Sequence, residues 1–170
     1  HKRALQLYQQ SRHTMDMDVV RLRPWQNETI KLVEKPSQRK VIWIVGKHGN
    51  EGKTFVQHYI RHHYGDRRVV VTDIAGRKKD IAHFLSKLPL ECKDIFLFNH
   101  PASSSDCVAY DLLEAIKDGS ILSHKYNTSR LAFKTPNVVM VFSNQYPITS
   151  SLKTDRWEIY AIKDCELHKV

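Results

Sequence analysis

The stretch from Lys40 to Thr54, KVIWIVGKHGNEGKT, constrains the fold of this chain more than any other. A short apolar run, Val41-Ile42-Trp43-Ile44-Val45, breaks into a loop with glycines at 46, 49 and 52, and Lys53-Thr54 then opens a helical pattern. A buried strand that turns through glycines into a helix N-terminus is a phosphate cradle, because backbone N–H groups can turn toward an anion that the helix dipole also favours. Lys53 adds a cation able to reach terminal phosphates, and the Thr54 hydroxyl is a ligand for magnesium. Five residues separate Gly46 from Gly52, where the usual expression for such loops has four. A glycine-rich turn without a ligand is the alternative, and a Gly-Lys-Thr ending after a β-branched run speaks against it.

Further apolar runs at Val69 to Thr72, Ile95 to Phe98, Val138 to Phe142 and Trp157 to Ile162 read as strands. Helical spacing lies between them, at Phe55, Val56, Tyr59 and Ile60, at Ile81, Phe84, Leu85 and Leu88, and at Ala109, Leu112, Leu113 and Ile116. Gly65 and Gly119 are placed to stop the first and last of these helices. Strands alternating with helices predict an α/β fold with a mostly parallel five-stranded sheet covered by helices on both faces. Ahead of it, Pro24 starts a helix whose Trp25, Thr29, Ile30 and Val33 share a face, and residues 1 to 22 suggest one or two short helices. The expected division is a helical segment over 1–37, suited to oligomerisation, a main domain over 38–165 and a tail over 166–170.

At 170 residues the chain suits one working module. Its 27 Lys and Arg against 18 Asp and Glu leave a formal charge of +9, which favours a polyanionic partner, with a merely solvated basic surface as the alternative. Between Ser120 and Phe133 two extended arms flank an Asn127-Thr128-Ser129 turn, predicting a hairpin that carries His124, Lys125, Tyr126 and Arg130. A basic tip beside an aromatic ring suits nucleic-acid backbone and base contact, against a simply soluble hairpin. The three cysteines are widely spaced with no C-x-x-C pair and read as thiols of a reducing compartment. No apolar run approaches the ~18 residues of a membrane span, so no membrane partner and an intracellular location are expected. His58, His62 and His63 fall on one helix, and with no third ligand at a supporting spacing they read as a solvated face.

The order RPWQ, WIVGKHGNEGKT, IFLFNHP, YDLLEAIKDGSILSHKY, VVMVFSNQYP and LKTDRW resembles the helicase half of the Rep proteins of small circular single-stranded DNA viruses, closest to the nanovirus and alphasatellite style. The resemblance runs from about Arg23 to about Ile162. It implies a P-loop ATPase of the AAA+ type, a superfamily-3 helicase that uses ATP and Mg2+, assembles as a homo-oligomeric ring, commonly a hexamer, and moves on single-stranded DNA in the host nucleus. Carried over, Gly46, Gly49, Asn50, Glu51, Gly52, Lys53 and Thr54 match the nucleotide loop, and Asn144 matches the polar sensor that positions the attacking water. Glu114, Lys117, Lys125 and Tyr126 match the segment of the DNA-contacting hairpin, and Arg156 matches a basic residue that reaches a neighbouring subunit's nucleotide. One departure matters chemically. Where the family has an aspartate after its third strand, this chain has Phe98-Asn99-His100-Pro101-Ala102, so the residue at the magnesium position is a neutral amide. Nucleotide binding is expected to survive that change, and a nucleotide-binding protein without turnover becomes the alternative, with Asp106 or Glu114 as compensating carboxylates. An RNA-directed helicase is a further alternative, since basic charge and aromatics serve either nucleic acid.

Overall fold

The computed structural model describes residues 21–101, 103, 107–123 and 129–170. The helices expected before residue 21, the hairpin tip with His124, Lys125 and Tyr126, and Asp106 lie outside the described residues. The chain runs through α1 (Pro24–Val33), β1 (Val41–Val45), α2 (Lys53–Tyr64), β2 (Val69–Asp73), α3 (Lys78–Ser86), β3 (Ile95–His100), α4 (Tyr110–Asp118), β4 (Ser120–Ser123), β5 (Ser129–Ala132), β6 (Val138–Ser143), β7 (Trp157–Lys163) and β8 (Glu166–Lys169). The main sheet has the order β2-β3-β6-β1-β7-β8. Its first five strands are parallel and β8 is antiparallel to β7.

Helices cover both faces, as the alternation of elements predicts. Val41, Trp43 and Val45 of β1 join Phe96, Phe98, Val139 and Val141 in a core with Ile81 and Leu85 of α3 and Leu112 and Ile116 of α4. The alternate residues Ile42 and Ile44 join Leu97, Met140 and Phe142 in a second core with Trp25 of α1 and Val56 and Ile60 of α2. Strands buried on both faces have no polar side to alternate with, which is why β1 and the first five residues of β6 read as unbroken apolar runs.

Among the described residues the sheet has six strands, and the expected five is corrected at the C-terminus. Residues 166–169, expected as tail, pair with β7 from Tyr160↔Lys169 to Lys163↔Glu166. The two-residue turn between them places Asp164 at φ 49° and Cys165 at φ 63°, both left-handed, as a tight hairpin turn whose twist matches its strands requires. α1 then docks on this turn, with the Trp25 N–H donating to Cys165 O at 2.9 Å and the Leu167 N–H donating to the Glu28 carboxylate at 2.8 Å. Trp25 is 1% exposed, so α1 belongs to the same packed unit as the sheet.

On the other face, α3 turns Phe84 outward, 43% exposed, although the helical spacing put it with the core residues Ile81 and Leu85. β4 and β5 form the expected hairpin as a separate two-stranded sheet. Its register pairs Ser123 with Ser129, so Ser129 belongs to an arm and not to the turn. Ile121 and Phe133 anchor the hairpin's base in the core beneath α3 and α4.

Candidate nucleotide-binding site

Parallel pairing brings the strand ends level. Val45 lies beside Ser143, Asn99 beside Phe142 and His100 beside Ser143, so the loop after β1, the end of β3 and Asn144 after β6 share one edge of the sheet. The Gly46 N–H donates to Ser143 O at 2.9 Å, which fixes where the loop leaves that edge.

α1 then sets the direction of the loop's peptides. Arg23 Nη1 donates to Asn50 O at 3.2 Å and to Glu51 O at 2.9 Å. Trp25 Nε1 donates to Glu51 O at 3.2 Å and Gln26 Nε2 to Gly52 O at 3.2 Å. In a planar trans peptide the C=O and the following N–H point in opposite directions. Drawing the carbonyls of 50, 51 and 52 toward α1 therefore turns the N–H groups of Glu51, Gly52 and Lys53 away from it, into the concavity of the loop. Gly52 stands at φ 91°, a backbone conformation that favours glycine, and a Cβ built on it would lie 2.6 Å from Gln26 Nε2 and displace the amide that holds Gly52 O. The sequence marks Arg23, Trp25 and Gln26 only as a helix start, and their hold on the loop was not legible there.

Lys53 opens α2 and its ammonium lies inside the loop, 2.7 Å from Gly46 O, 3.3 Å from His48 O and 3.0 Å from Glu51 Oε2. The Glu51 carboxylate sits over Gly46, where an added Cβ would come within 1.9 Å of Oε2. These oxygens are the kind of ligand a phosphate offers, and the Glu51 carboxylate would compete with a phosphate for the same ammonium. Thr54 follows in the first turn of α2 with its side chain exposed, where its hydroxyl is free to join phosphate oxygens around a magnesium ion.

Asn99 lies on the α2 side of the sheet. Gln57, one turn beyond Lys53, donates from Nε2 to Lys53 O at 3.2 Å and to Asn99 Oδ1 at 2.7 Å. A magnesium ion here would meet a hydroxyl and a neutral amide, and the carboxylate nearest in register is Asp73, the β2 residue paired with Asn99 and exposed. The donor set suits a magnesium ion held largely by the phosphates it accompanies. His100 faces the opposite side, with Nδ1 3.0 Å from Ser143 Oγ and its ring edge-on to Trp43. Burial lowers its pKa below the usual histidine value, favouring the neutral imidazole.

The other predicted residues lie elsewhere. Trp157 pairs with Val41, at the start of β1, so Arg156 stands at the end of the sheet opposite the loop. Its side chain is buried and ion-paired with Asp118 and, at 3.5 Å, with Glu114. Reaching a neighbouring subunit's nucleotide would first require those pairs to break. Glu114 is thereby placed too far from Asn99 to compensate for the amide. Lys117, expected on a DNA-contacting surface, is 3% exposed and donates from Nζ to Ser37 O at 2.6 Å and Asn137 O at 2.7 Å. This corrects the expectation: the lysine is a tie between α4 and the sheet's lower edge. Burial first, and Arg156 second, lower its pKa to about 8. Arg130 is exposed on β5, on the arm leading to the hairpin tip. On α2, His63 stacks with Tyr59 and meets Tyr64 edge-on.

The chain has relatives among curated proteins. The Para-Rep C6 of Subterranean clover stunt C6 alphasatellite is 33% identical over 139 residues, 79% of this chain and 46% of that protein. The master replication proteins of Subterranean clover stunt virus (strain F) and of Milk vetch dwarf virus (isolate N) are each 30% identical, over 78% and 79% of this chain and 43% of theirs. The chain is a homologue of nanovirus and alphasatellite replication proteins. It spans somewhat under half the length of these replication proteins. No protein-family model matches the chain. Among solved structures, the apo C-terminal region of NrS-1 aligns over 74% of this chain and 29% of its own at 18% identity and a TM-score of 0.43, a likeness too partial to bear on the fold.

Proposed function

We propose that this chain is the ATP-driven helicase part of a replication initiator of the nanovirus and alphasatellite kind, acting on single-stranded DNA as a ring-shaped, commonly hexameric, homo-oligomer. One observation carries the nucleotide half of this reading. The clamp from α1 turns the amides of residues 51 to 53 into a loop that also holds the Lys53 ammonium, at the sheet edge shared by Asn99 and Asn144. Those N–H groups and Lys53 bind and orient the phosphates of ATP. Thr54, with the phosphate oxygens, holds the accompanying magnesium ion, whose charge offsets that of the phosphates. Asn144 positions the attacking water in the manner the family resemblance implies. The basic hairpin supplies the nucleic-acid contact through Arg130 and the tip residues His124, Lys125 and Tyr126.

A second reading, nucleotide binding without turnover, is favoured by Asn99, which brings no negative charge to the metal and whose Oδ1 is already bonded to Gln57. Phosphate release measured without nucleic acid, with single-stranded DNA and with single-stranded RNA separates the readings. Stimulation by DNA is the expected result, and stimulation by RNA alone moves the substrate class. No release with either, at concentrations that favour assembly, leaves the binding-only reading. Asn99→Asp restores the charge and is expected to raise hydrolysis about 10-fold or more while changing affinity for the magnesium–nucleotide complex comparatively little.

A further inference from the structure

Gln57 is 1% exposed on a helix whose other buried positions are apolar. Its Nε2 spans two acceptors, Lys53 O at 3.2 Å and Asn99 Oδ1 at 2.7 Å, while among the described residues no donor reaches its Oε1. A buried acceptor without a donor is costly, so something holds the amide in this orientation. The holder is the Lys53 carbonyl, which can only accept. Rotating the Gln57 amide would set Oε1 against that carbonyl, oxygen to oxygen. Rotating the Asn99 amide instead would set two NH2 groups face to face. Each alternative loses hydrogen bonds at the buried Gln57 amide. The pair therefore has one arrangement: Asn99 turns its oxygen to the helix, and its Nδ2 is the polar end left over.

We propose that Gln57 is a positioning residue that fixes the polarity of the Asn99 amide, so that residue 99 meets a bound nucleotide as a hydrogen-bond donor to a phosphate or water oxygen and not as a metal ligand. This rests on the phosphate-loop reading and deepens it. An aspartate at 99 accepts from Gln57 with one oxygen and still offers an acceptor with the other. The same Gln57 beside an asparagine leaves a donor. The departure at position 99 thus reverses the sign of the group presented to the ligand, beyond removing a charge, and the ligand chemistry it fits is a terminal phosphate oxygen.

The test follows the Asn99 side-chain NH2 resonance by NMR, assigned by its disappearance in Asn99→Asp, while AMP-PNP is added first with EDTA and then with magnesium. In the wild-type protein the signal is expected to shift with AMP-PNP in EDTA and to move little further with magnesium. Gln57→Leu removes the orienting donor and keeps the buried volume. It is expected to broaden or abolish that shift and to weaken AMP-PNP binding in EDTA about 3- to 10-fold, the size of one hydrogen bond to a charged group. Gln57→Glu, studied above the pH at which its carboxyl ionises, cannot donate to Lys53 O and draws Asn99 Nδ2 toward itself, and is expected to silence the response in a folded protein, as its backbone spectrum reports. Normal AMP-PNP binding with an Asn99 signal that does not respond in wild type, or that responds equally in Gln57→Leu and Gln57→Glu, overturns this proposal alone. Absence of AMP-PNP binding to the wild-type protein overturns the phosphate-loop reading and this proposal with it.

Discussion

The two ends of the parallel sheet both gather cations, and they use them in opposite ways. At the end where β1, β3 and β6 terminate, Lys53 sits among two backbone carbonyls and the Glu51 carboxylate within one short loop. At the other end, Lys117 and Arg156 are buried and tied to groups far away in sequence, Ser37, Asn137, Glu114 and Asp118. A cation whose partners belong to a single loop can exchange them for a phosphate while the fold stays intact. A cation that joins α4 to the strand starts cannot leave without loosening the fold. The comparison separates a charge that is available to a ligand from one committed to the fold, which net charge and spacing do not.

The largest effect expected from breaking this contrast is on stability at the lower end. Arg156→Ala removes the partner of Asp118 and Glu114 and opens a buried volume, and should lower the unfolding free energy by about 2–3 kcal/mol. That falls below the cost of breaking a fully buried pair, because both carboxylates reach solvent. Urea unfolding measures it, and an unchanged midpoint would return Arg156 to a purely functional role.

Next is the pH dependence of Lys117. Its folded pKa of about 8 lies below the ordinary lysine value of 10.5, so between those values the unfolded chain binds the extra proton and stability rises with pH. Below about pH 8 both states are protonated and the burial cost is felt in full. Lys117→Met should remove this rise, so that the stability difference between variant and wild type changes by something like 1–3 kcal/mol from pH 8 to 10.5, with the variant relatively better at the acid end. A flat difference would mean the amine is not desolvated.

At the upper end the effects are smaller and fall on affinity. Glu51→Gln takes away the carboxylate that competes for Lys53 and should tighten nucleotide binding about 3- to 10-fold in calorimetry, with little change in the unfolding midpoint. Weaker binding would make Glu51 a contact for the nucleotide and not its competitor. Smaller still, Trp25→Phe keeps the buried ring but removes the Nε1 donor to Glu51 O, and should weaken nucleotide binding about 2- to 5-fold. Loss of stability without loss of affinity would reduce the α1 clamp to packing.

Much of the architecture was legible because its signal is local. The strands at 41–45 and 138–143 are apolar runs bounded by glycine, proline or polar residues, and the helices at 53–64 and 110–118 stop at Gly65 and Gly119, both at positive φ. β8 was not legible, because Glu-Leu-His-Lys has one apolar residue and its turn uses Asp164 and Cys165 where a hairpin signal would be Asn-Gly. The turn between β1 and α2 could be read from the glycines that follow an apolar run and precede a helical pattern. Its support could not: the clamp by Arg23, Trp25 and Gln26 and the tie from Gln57 to Asn99 join residues 26 to 42 positions apart through tertiary packing. Lys117 and Arg156 were misleading for the same reason, since a lysine in the last turn of a helix ordinarily faces water.

The division of labour between the two ends is tested most directly by calorimetric titration of AMP-PNP with magnesium into the wild-type protein, Lys53→Ala and Lys117→Met, alongside their unfolding curves. Binding by wild type and Lys117→Met, with loss of about 100-fold or more in a Lys53→Ala protein that unfolds at the wild-type midpoint, is the predicted result. Equal affinity in Lys53→Ala, or loss of binding in a folded Lys117→Met, would contradict it.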